Sequence, residues 1–408
     1  MAKLESIRIG VIGLGCRGSS MLPLLLMMED VRVPAVCDLY PDRMQAGVDK
    51  VAEAGQRAQG YTDYRELLAR DDLDAVMIST SWTSHIEIAV AAMNAGIAVA
   101  MEVGGASSIQ ECWDLVRAHE RTGVPVMLLE NCCYGRDEMM VLNMVKQGVF
   151  GEIIHCQGGY EHDLRDEVSL GGENRHYRLR NYLNRNGELY PTHELGPIAK
   201  VLDINRGNRF LTLSSMASKA RGAHAWIAEH RSDDPELMGA AFTQGDVVTT
   251  QIKCAHGETI LLVHDTTLPR PYSRGGRVQG TKGLWMEDKN GIYVEGRSPA
   301  HTWESVDDYR EQYDHPLWKR YLQDGVKAGH DGMDYLELRA FVESMKAGVK
   351  PPIDVYDAAA WMAVTCLSEQ SVAMGGAPVP VPDFTDGKWI RREKDAPSLY
   401  ALDAVHDL

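Results

Sequence analysis

The chain has no apolar run long enough to span a bilayer, so no membrane-crossing helix is expected. It lacks the basic excess that nucleic acid or an anionic membrane surface would attract: its formal charge is −16. The eight cysteines are scattered, with Cys132 and Cys133 adjacent, and form neither a Cys-x-x-Cys pair nor a His/Cys cluster with metal-ligand spacing. Reduced thiols and no metal are therefore expected. There is no internal repeat and no low-complexity segment. The first strand-like run begins within a few residues, without the pattern of a signal peptide, so a cytoplasmic location is expected. What is present is 408 residues with 44% hydrophobic content, enough for two domains with ordinary cores acting on a small molecule.

Residues 7–14 form a short apolar run suited to a buried parallel strand, and a helix is expected over 19–28. Between them stands Gly13-Leu14-Gly15-Cys16-Arg17-Gly18. Gly13 permits the tight turn, Gly15 lets a pyrophosphate approach the backbone, and Gly18 lets the helix pack on the strand. The phosphates of a dinucleotide would sit on the free amides at that helix's N-terminus. The next strand, over 31–37, ends in Asp38, about 20 residues past the last glycine. A carboxylate there accepts hydrogen bonds from ribose hydroxyls and repels a 2′-phosphate, so NAD is expected rather than NADP.

Strand and helix signals keep alternating: strands over 73–79, 97–101 and 124–129, helices over 86–95 and 108–121. This predicts an α/β Rossmann domain, a doubly wound parallel sheet spanning 1–129. Ligands of such sheets lie at the carboxyl ends of the strands. Those ends carry Trp82, Thr83, Ser84 and His85, then Glu102 and Val103, then Glu130 and Asn131.

Beyond Glu130 the rhythm changes. A helix over 139–147 and a strand over 152–159 precede a polar stretch over 161–185. Further strands are expected over 211–217, 246–254, 259–265 and 275–280, and helices over 335–346 and 355–373. The pattern predicts an α+β domain over 130–375 with an open, mainly antiparallel sheet and few helices, then a Pro-rich tail over 376–408. An open sheet face leads us to expect a homo-oligomer. Within this half, Tyr190-Pro191-Thr192-His193 sets two proton-transfer groups one helical turn apart, with Pro191 at the helix start. Tyr160, His162, Arg178, Arg180 and Tyr272 are further pocket candidates, because phenols and arginines suit a polyol.

The arrangement resembles the superfamily of glucose–fructose oxidoreductase and inositol dehydrogenase. Its ordinary members carry Glu-Lys-Pro where this chain reads Glu102-Val103-Gly104, so the lysine that assists alcohol oxidation is missing. A closer resemblance is to glycoside hydrolase family 109, the NAD-dependent α-N-acetylgalactosaminidases. It rests on the glycine motif, residues 101–106, 130–134, 159–165, 185–197, 205–210, 264–273, 278–286 and 315–318. The polar stretch before Arg185 is shorter than in that family.

The resemblance implies cofactor contacts at Cys16, Arg17, Asp38, Trp82 to His85, Glu102, Val103 and Asn131. It implies sugar contacts at Tyr160, Arg178, Tyr190, Pro191, Thr192, His193 and Tyr272. It further implies a glycosidase reaction in which NAD⁺ takes hydride from C3 while His193 receives the hydroxyl proton, and Tyr160 then removes the C2 proton for elimination. Tyr190 joins these two as a third candidate catalytic group. Two other readings stand beside this one: a sugar or polyol dehydrogenase releasing NADH, and a non-catalytic NAD-binding sensor.

Overall fold

The computed structural model describes residues 4–327 and 329–405. Strand β1 (Ile7–Ile12) ends before Leu14 because Gly13 turns the chain at φ 94°, a region open to glycine. Helix α1 (Cys16–Leu26) then starts directly after Gly15 rather than at Ser19. The alternation continues through β2 (Val31–Cys37), α2 (Pro41–Glu53), β3 (Gln59–Tyr61), α3 (Tyr64–Leu68), β4 (Ala75–Ile78), α4 (Trp82–Asn94), β5 (Ala98–Glu102), α5 (Ile109–Thr122) and β6 (Val126–Leu129). The six strands run parallel in the order β3-β2-β1-β4-β5-β6, the doubly wound sheet that the sequence predicts. Helix α2 was not anticipated, since it buries only Gly47 and Val51 and carries too thin an apolar stripe to show as periodicity.

The second half contributes β7 (Ile153–Glu161), β8 (Phe210–Ala217), β9 (Val247–Cys254), β10 (Thr259–Asp265), β11 (Arg277–Gly280), β12 (Gly283–Met286), β13 (Gly291–Val294), β14 (Glu304–Ser305) and β15 (Val379–Pro380). They form one sheet in the order β14-β13-β12-β11-β7-β10-β9-β8-β15. All its pairings are antiparallel except β7 with β10, which run parallel with Tyr160 opposite His264.

The expectation of few helices is corrected. Among the described residues this half holds α6 (Arg136–Lys146), α7 (Arg165–Ser169), α8 (Arg178–Asn184), α9 (Thr192–Val201), α10 (Gly222–His230), α11 (Pro235–Gly239), α12 (Asp307–Tyr313), α13 (Pro316–Asp324), α14 (Met333–Ala347) and α15 (Val355–Ala373). Several are one or two turns long, below the length at which a 3.6-residue period is legible.

Helix α15 is apolar on every side and buried along nearly its whole length, so it belongs between layers rather than on a surface. It packs on α5 and β6 of the first domain and on α9 and β8 of the second, and joins the two sheets. The Pro-rich segment after Gly375 folds back: β15 pairs with β8, and the buried Asp403 lies 2.5 Å from Arg206 Nε and 3.4 Å from Lys200 Nζ. No helix among the described residues is long and apolar enough to cross a membrane.

Candidate active site

A cleft of about 1430 Å³ runs along the carboxyl ends of the parallel strands, with residues of β7, α8 and α9 on its other wall. Pockets for drug-sized ligands are typically about 300–1,000 Å³, so this one has room for a dinucleotide and a sugar together. Gly13, Gly15, Cys16, Arg17, Asp38, Thr83, Ser84, His85, Glu102, Val103 and Asn131 all line it. Gly18 lies behind the wall, where a Cβ would stand 1.9 Å from the Gly13 carbonyl oxygen; only glycine lets the helix seat on the turn. Helix α1 has no acidic residue in its first turn, so none of its own side chains competes with an anion for the free amides there. This cradle fits the pyrophosphate of a dinucleotide.

Asp38 has a structural duty as well. Its Oδ2 accepts from the Leu14 amide (2.7 Å) and its Oδ1 from the Tyr40 amide (2.9 Å), which ties the glycine turn to the start of α2. Each oxygen keeps a second lone pair for a ribose hydroxyl. Arg17 reaches the cleft but its guanidinium serves three carboxylates: Glu102 (2.6 Å), Asp334 (2.8 Å) and Glu337 (3.2 Å). Asn131 donates to Asp334 from the other side (2.8 Å).

Trp82 is buried behind the wall, with its ring 4.8 Å from Tyr177 and 5.5 Å from Tyr190. Gly104 passes beneath it, and a Cβ there would come within 2.5 Å of the indole. His85 donates Nε2–H to the Thr80 carbonyl (2.9 Å), and burial lowers its pKa to about 4, so the imidazole is neutral. Val103 occupies the position where the wider superfamily has lysine. It is 5% exposed, and no lysine among the described residues lines the cleft.

Two contacts join the domains near Tyr40. Arg175 grips Asp42 with both nitrogens (3.0 and 2.8 Å), and Arg43 donates to the Asn174 carbonyl (2.8 Å). Both guanidinium groups lie against the Tyr40 ring, at 4.3 and 5.0 Å from its centroid. Tyr40, Arg43, Asn174 and Arg175 all line the cleft, and the sequence reading passed over all four.

The second domain supplies the phenols, imidazole and guanidinium of the cleft. Tyr160, Arg178, Tyr190 and His193 line the cleft together. Tyr190 precedes helix α9, whose N-cap is Pro191, so the pair is not strictly one helical turn. The rings nevertheless meet edge-on at 4.7 Å, and Tyr160 lies 4.6 Å from Tyr190 and 5.4 Å from His193. Nδ1 of His193 is 2.9 Å from Oε1 of Glu130, a fully buried carboxylate. Donation from Nδ1 to Glu130 fixes the tautomer and leaves the Nε2 lone pair to act as base. Burial pushes the Glu130 carboxyl up, but His193, Thr192 and the Cys132 amide together hold it below its ordinary range, so it is ionised.

Arg178 is buried, with its guanidinium 5.5 Å from the Tyr160 ring centre and 5.3 Å from that of Tyr190. Its Nη1 has no hydrogen-bond partner, a donor left for a ligand oxygen. Burial drives the Tyr190 phenol well above its ordinary pKa, so it is a hydrogen-bond donor rather than a base. Thr192 is buried beneath the site, and Pro191 caps α9 without reaching the wall. Tyr272 is half exposed and outside the main cleft, with its ring 5.0 Å from His162 and 6.3 Å from Tyr160.

Of the carboxylates on the wall, Glu102 pairs with Arg17, Asp38 accepts from two amides, Asp63 accepts from the Arg65 amide, and Glu167 lies 3.3 Å from Arg178. Cys132 comes within 4.8 Å of Glu130 and His193, a grouping able to ligate a cation. Those two are already bonded to each other, and burial holds the Cys132 thiol neutral against Asn131.

Comparison with known proteins adds the following. Residues 134–391 match the family described as glycosyl hydrolase 109, C-terminal domain, and residues 7–129 match the oxidoreductase family, NAD-binding Rossmann fold. A glycosyl hydrolase family 109 protein of Stenotrophomonas maltophilia is 44% identical across 99% of this chain and 94% of its own length. A protein of Tannerella forsythia named alpha-N-acetylgalactosaminidase is 42% identical across 95% of this chain and 88% of its own. Levoglucosan dehydrogenase in complex with NADH and levoglucosan shares the fold at a TM-score of 0.73 and 17% identity, over 93% of this chain and 100% of that one.

Proposed function

This chain belongs to glycosyl hydrolase family 109 and is an NAD-binding glycosidase, and from that premise we propose that it removes terminal α-linked N-acetylgalactosamine by transient oxidation at C3. The observation that carries this reading is the sharing of one cleft by the dinucleotide cradle and the Tyr160, Tyr190 and His193 cluster. The name of the Tannerella relative supports the choice of sugar. A conventional glycosidase mechanism needs two carboxylates at the scissile bond, whereas the groups gathered around Tyr160 are a phenol and imidazoles.

Bound NAD supplies a reversible hydride acceptor for C3. His193, steered by Glu130, takes the C3 hydroxyl proton on Nε2 as the carbonyl forms. The carbonyl acidifies the C2 hydrogen. Tyr160 removes that proton, the electron pair shifts toward C1, and the bond from C1 to the aglycone oxygen breaks, the departing oxygen taking a proton from solvent that the water adding at C1 later gives back. Water then adds at C1, Tyr160 returns a proton to C2, and His193 returns its proton to the C3 oxygen. Arg178 and Tyr190 direct hydrogen bonds at the sugar oxygens throughout.

In a dehydrogenase reading His193 would have to replace the superfamily's lysine, since among the described residues no lysine lines the cleft and Val103 stands at its place. The discriminating experiment supplies α- and β-nitrophenyl N-acetylgalactosaminides to the protein as purified. Nitrophenol release without a rise in reduced-nicotinamide absorbance is expected. Reduced nicotinamide accumulating with free sugar, without cleavage, would establish the dehydrogenase instead.

A further inference from the structure

A phenol that accepts a proton must give up its own, and the chemistry above, on which this inference rests, leaves that proton without a destination. The structure provides one. Strand β7 ends at Glu161, and the His162 amide extends its ladder to the Asp265 carbonyl (2.9 Å). Residues two apart on a strand share a face, so Tyr160 and His162 point the same way. The Tyr160 hydroxyl lies 3.1 Å from Nδ1 of His162, with the rings edge-on at 5.6 Å.

We propose that His162 is the proton acceptor for Tyr160, a positioning residue that turns the phenol into a competent base. As Tyr160 takes the C2 proton, its own O–H bond breaks and that proton passes to Nδ1 of His162. The bonding pair left at C2 enters the enolate and then expels the aglycone. When C2 is reprotonated, Tyr160 gives up one proton and recovers the other from His162, so the relay closes without net consumption.

The surroundings suit the task. Burial lowers the His162 pKa, which keeps the imidazole neutral and its lone pair available before the step. Glu167 and Asp163 face the imidazolium that forms and favour it, while Arg178 and His193 oppose it. Tyr272 packs against the ring edge at 5.0 Å and fixes its orientation. His162 is only partly buried, so while the intermediate persists the imidazolium releases its proton to water, and the freed Nδ1 then draws the C2-derived proton from Tyr160 into exchange with solvent.

The test compares the wild-type holoenzyme with His162→Ala and His162→Asn, after NAD content and thermal midpoint confirm that each is folded. Asparagine keeps a hydrogen-bond acceptor near Nδ1 but cannot take up the proton. Both variants are expected to lose about a hundredfold or more in kcat with little change in KM. The part of the wild-type acid limb of kcat that comes from protonation of His162 should be lost in both. Added imidazole should restore part of the alanine variant's rate. Variants that retain the wild-type rate and acid limb, or a slow alanine variant that imidazole leaves unchanged, would overturn the role. If the wild-type enzyme itself cleaves substrate without exchanging the C2 hydrogen, the reaction reading falls and takes this inference with it. Exchange by the wild-type enzyme and by both variants at equal rates removes His162 alone.

Discussion

His193 Nδ1 and Glu130 Oε1 lie 2.9 Å apart, with the glutamate fully buried just past β6 and the histidine in the first turn of α9. The two domains thus meet in one hydrogen bond: the Rossmann sheet provides the carboxylate that orients an imidazole carried by the second domain. Glu130→Gln preserves the shape but removes the charge and the tautomer control. It should lower kcat on the order of a hundredfold or more, with KM and NAD content nearly unchanged. His193→Ala should cost at least as much, and the double variant should be no worse than His193→Ala alone. Additive losses in that cycle would mean that the two residues act separately.

The contacts near Tyr40 predict how long the cofactor stays. Arg175→Ala or Asp42→Ala opens a bidentate bridge between the domains and should speed NAD release up to about fivefold, the range open to an exposed ion pair. The exchanged pair, Asp42→Arg with Arg175→Asp, should recover most of the retention. Exchange of bound NAD for a labelled pool measures this directly. Identical release rates in all four proteins would remove the bridge from the account.

His85 makes a statement about pH. Its folded pKa, lowered by burial to about 4, lies below the ordinary 6.5, so the unfolded chain binds the extra proton between those values. The contribution to stability is full above pH 6.5 and is lost as the pH falls toward 4, in all roughly 3 kcal/mol. His85→Gln keeps a donor for the Thr80 carbonyl and should flatten this part of the acid limb. Denaturant unfolding of both proteins at pH 7 and pH 4.5 gives the difference; an unchanged slope would contradict the assignment.

Local features were legible in the sequence. The glycine turn, Asp38 at its fixed distance, and the alternating strands and helices follow from short-range geometry and appear as expected. The contact of Tyr190 with His193 was legible as well, although a proline cap rather than a helical turn brings the rings together. Pairings across long stretches of chain were not. Nothing in the spacing joins Glu130 to His193, or Arg43 to Asn174 some 131 residues away. Arg17 shows the same limit: its place in the glycine motif marks a cofactor contact, yet Asp334, 317 residues downstream, takes its guanidinium. The four-residue strands β12 and β13 and the short helix α8 carry too few residues for a period to register.

The central claim is that the glycosidic bond breaks by elimination after loss of the C2 hydrogen. The most direct measurement runs the cleavage in deuterated water with the protein as purified and reads C2 of the released sugar by proton resonance. Because Tyr160 communicates with the half-buried His162, deuterium should appear at C2 in the product and should not appear in sugar incubated without enzyme. Released sugar that retains its full C2 proton signal through complete cleavage would contradict the account.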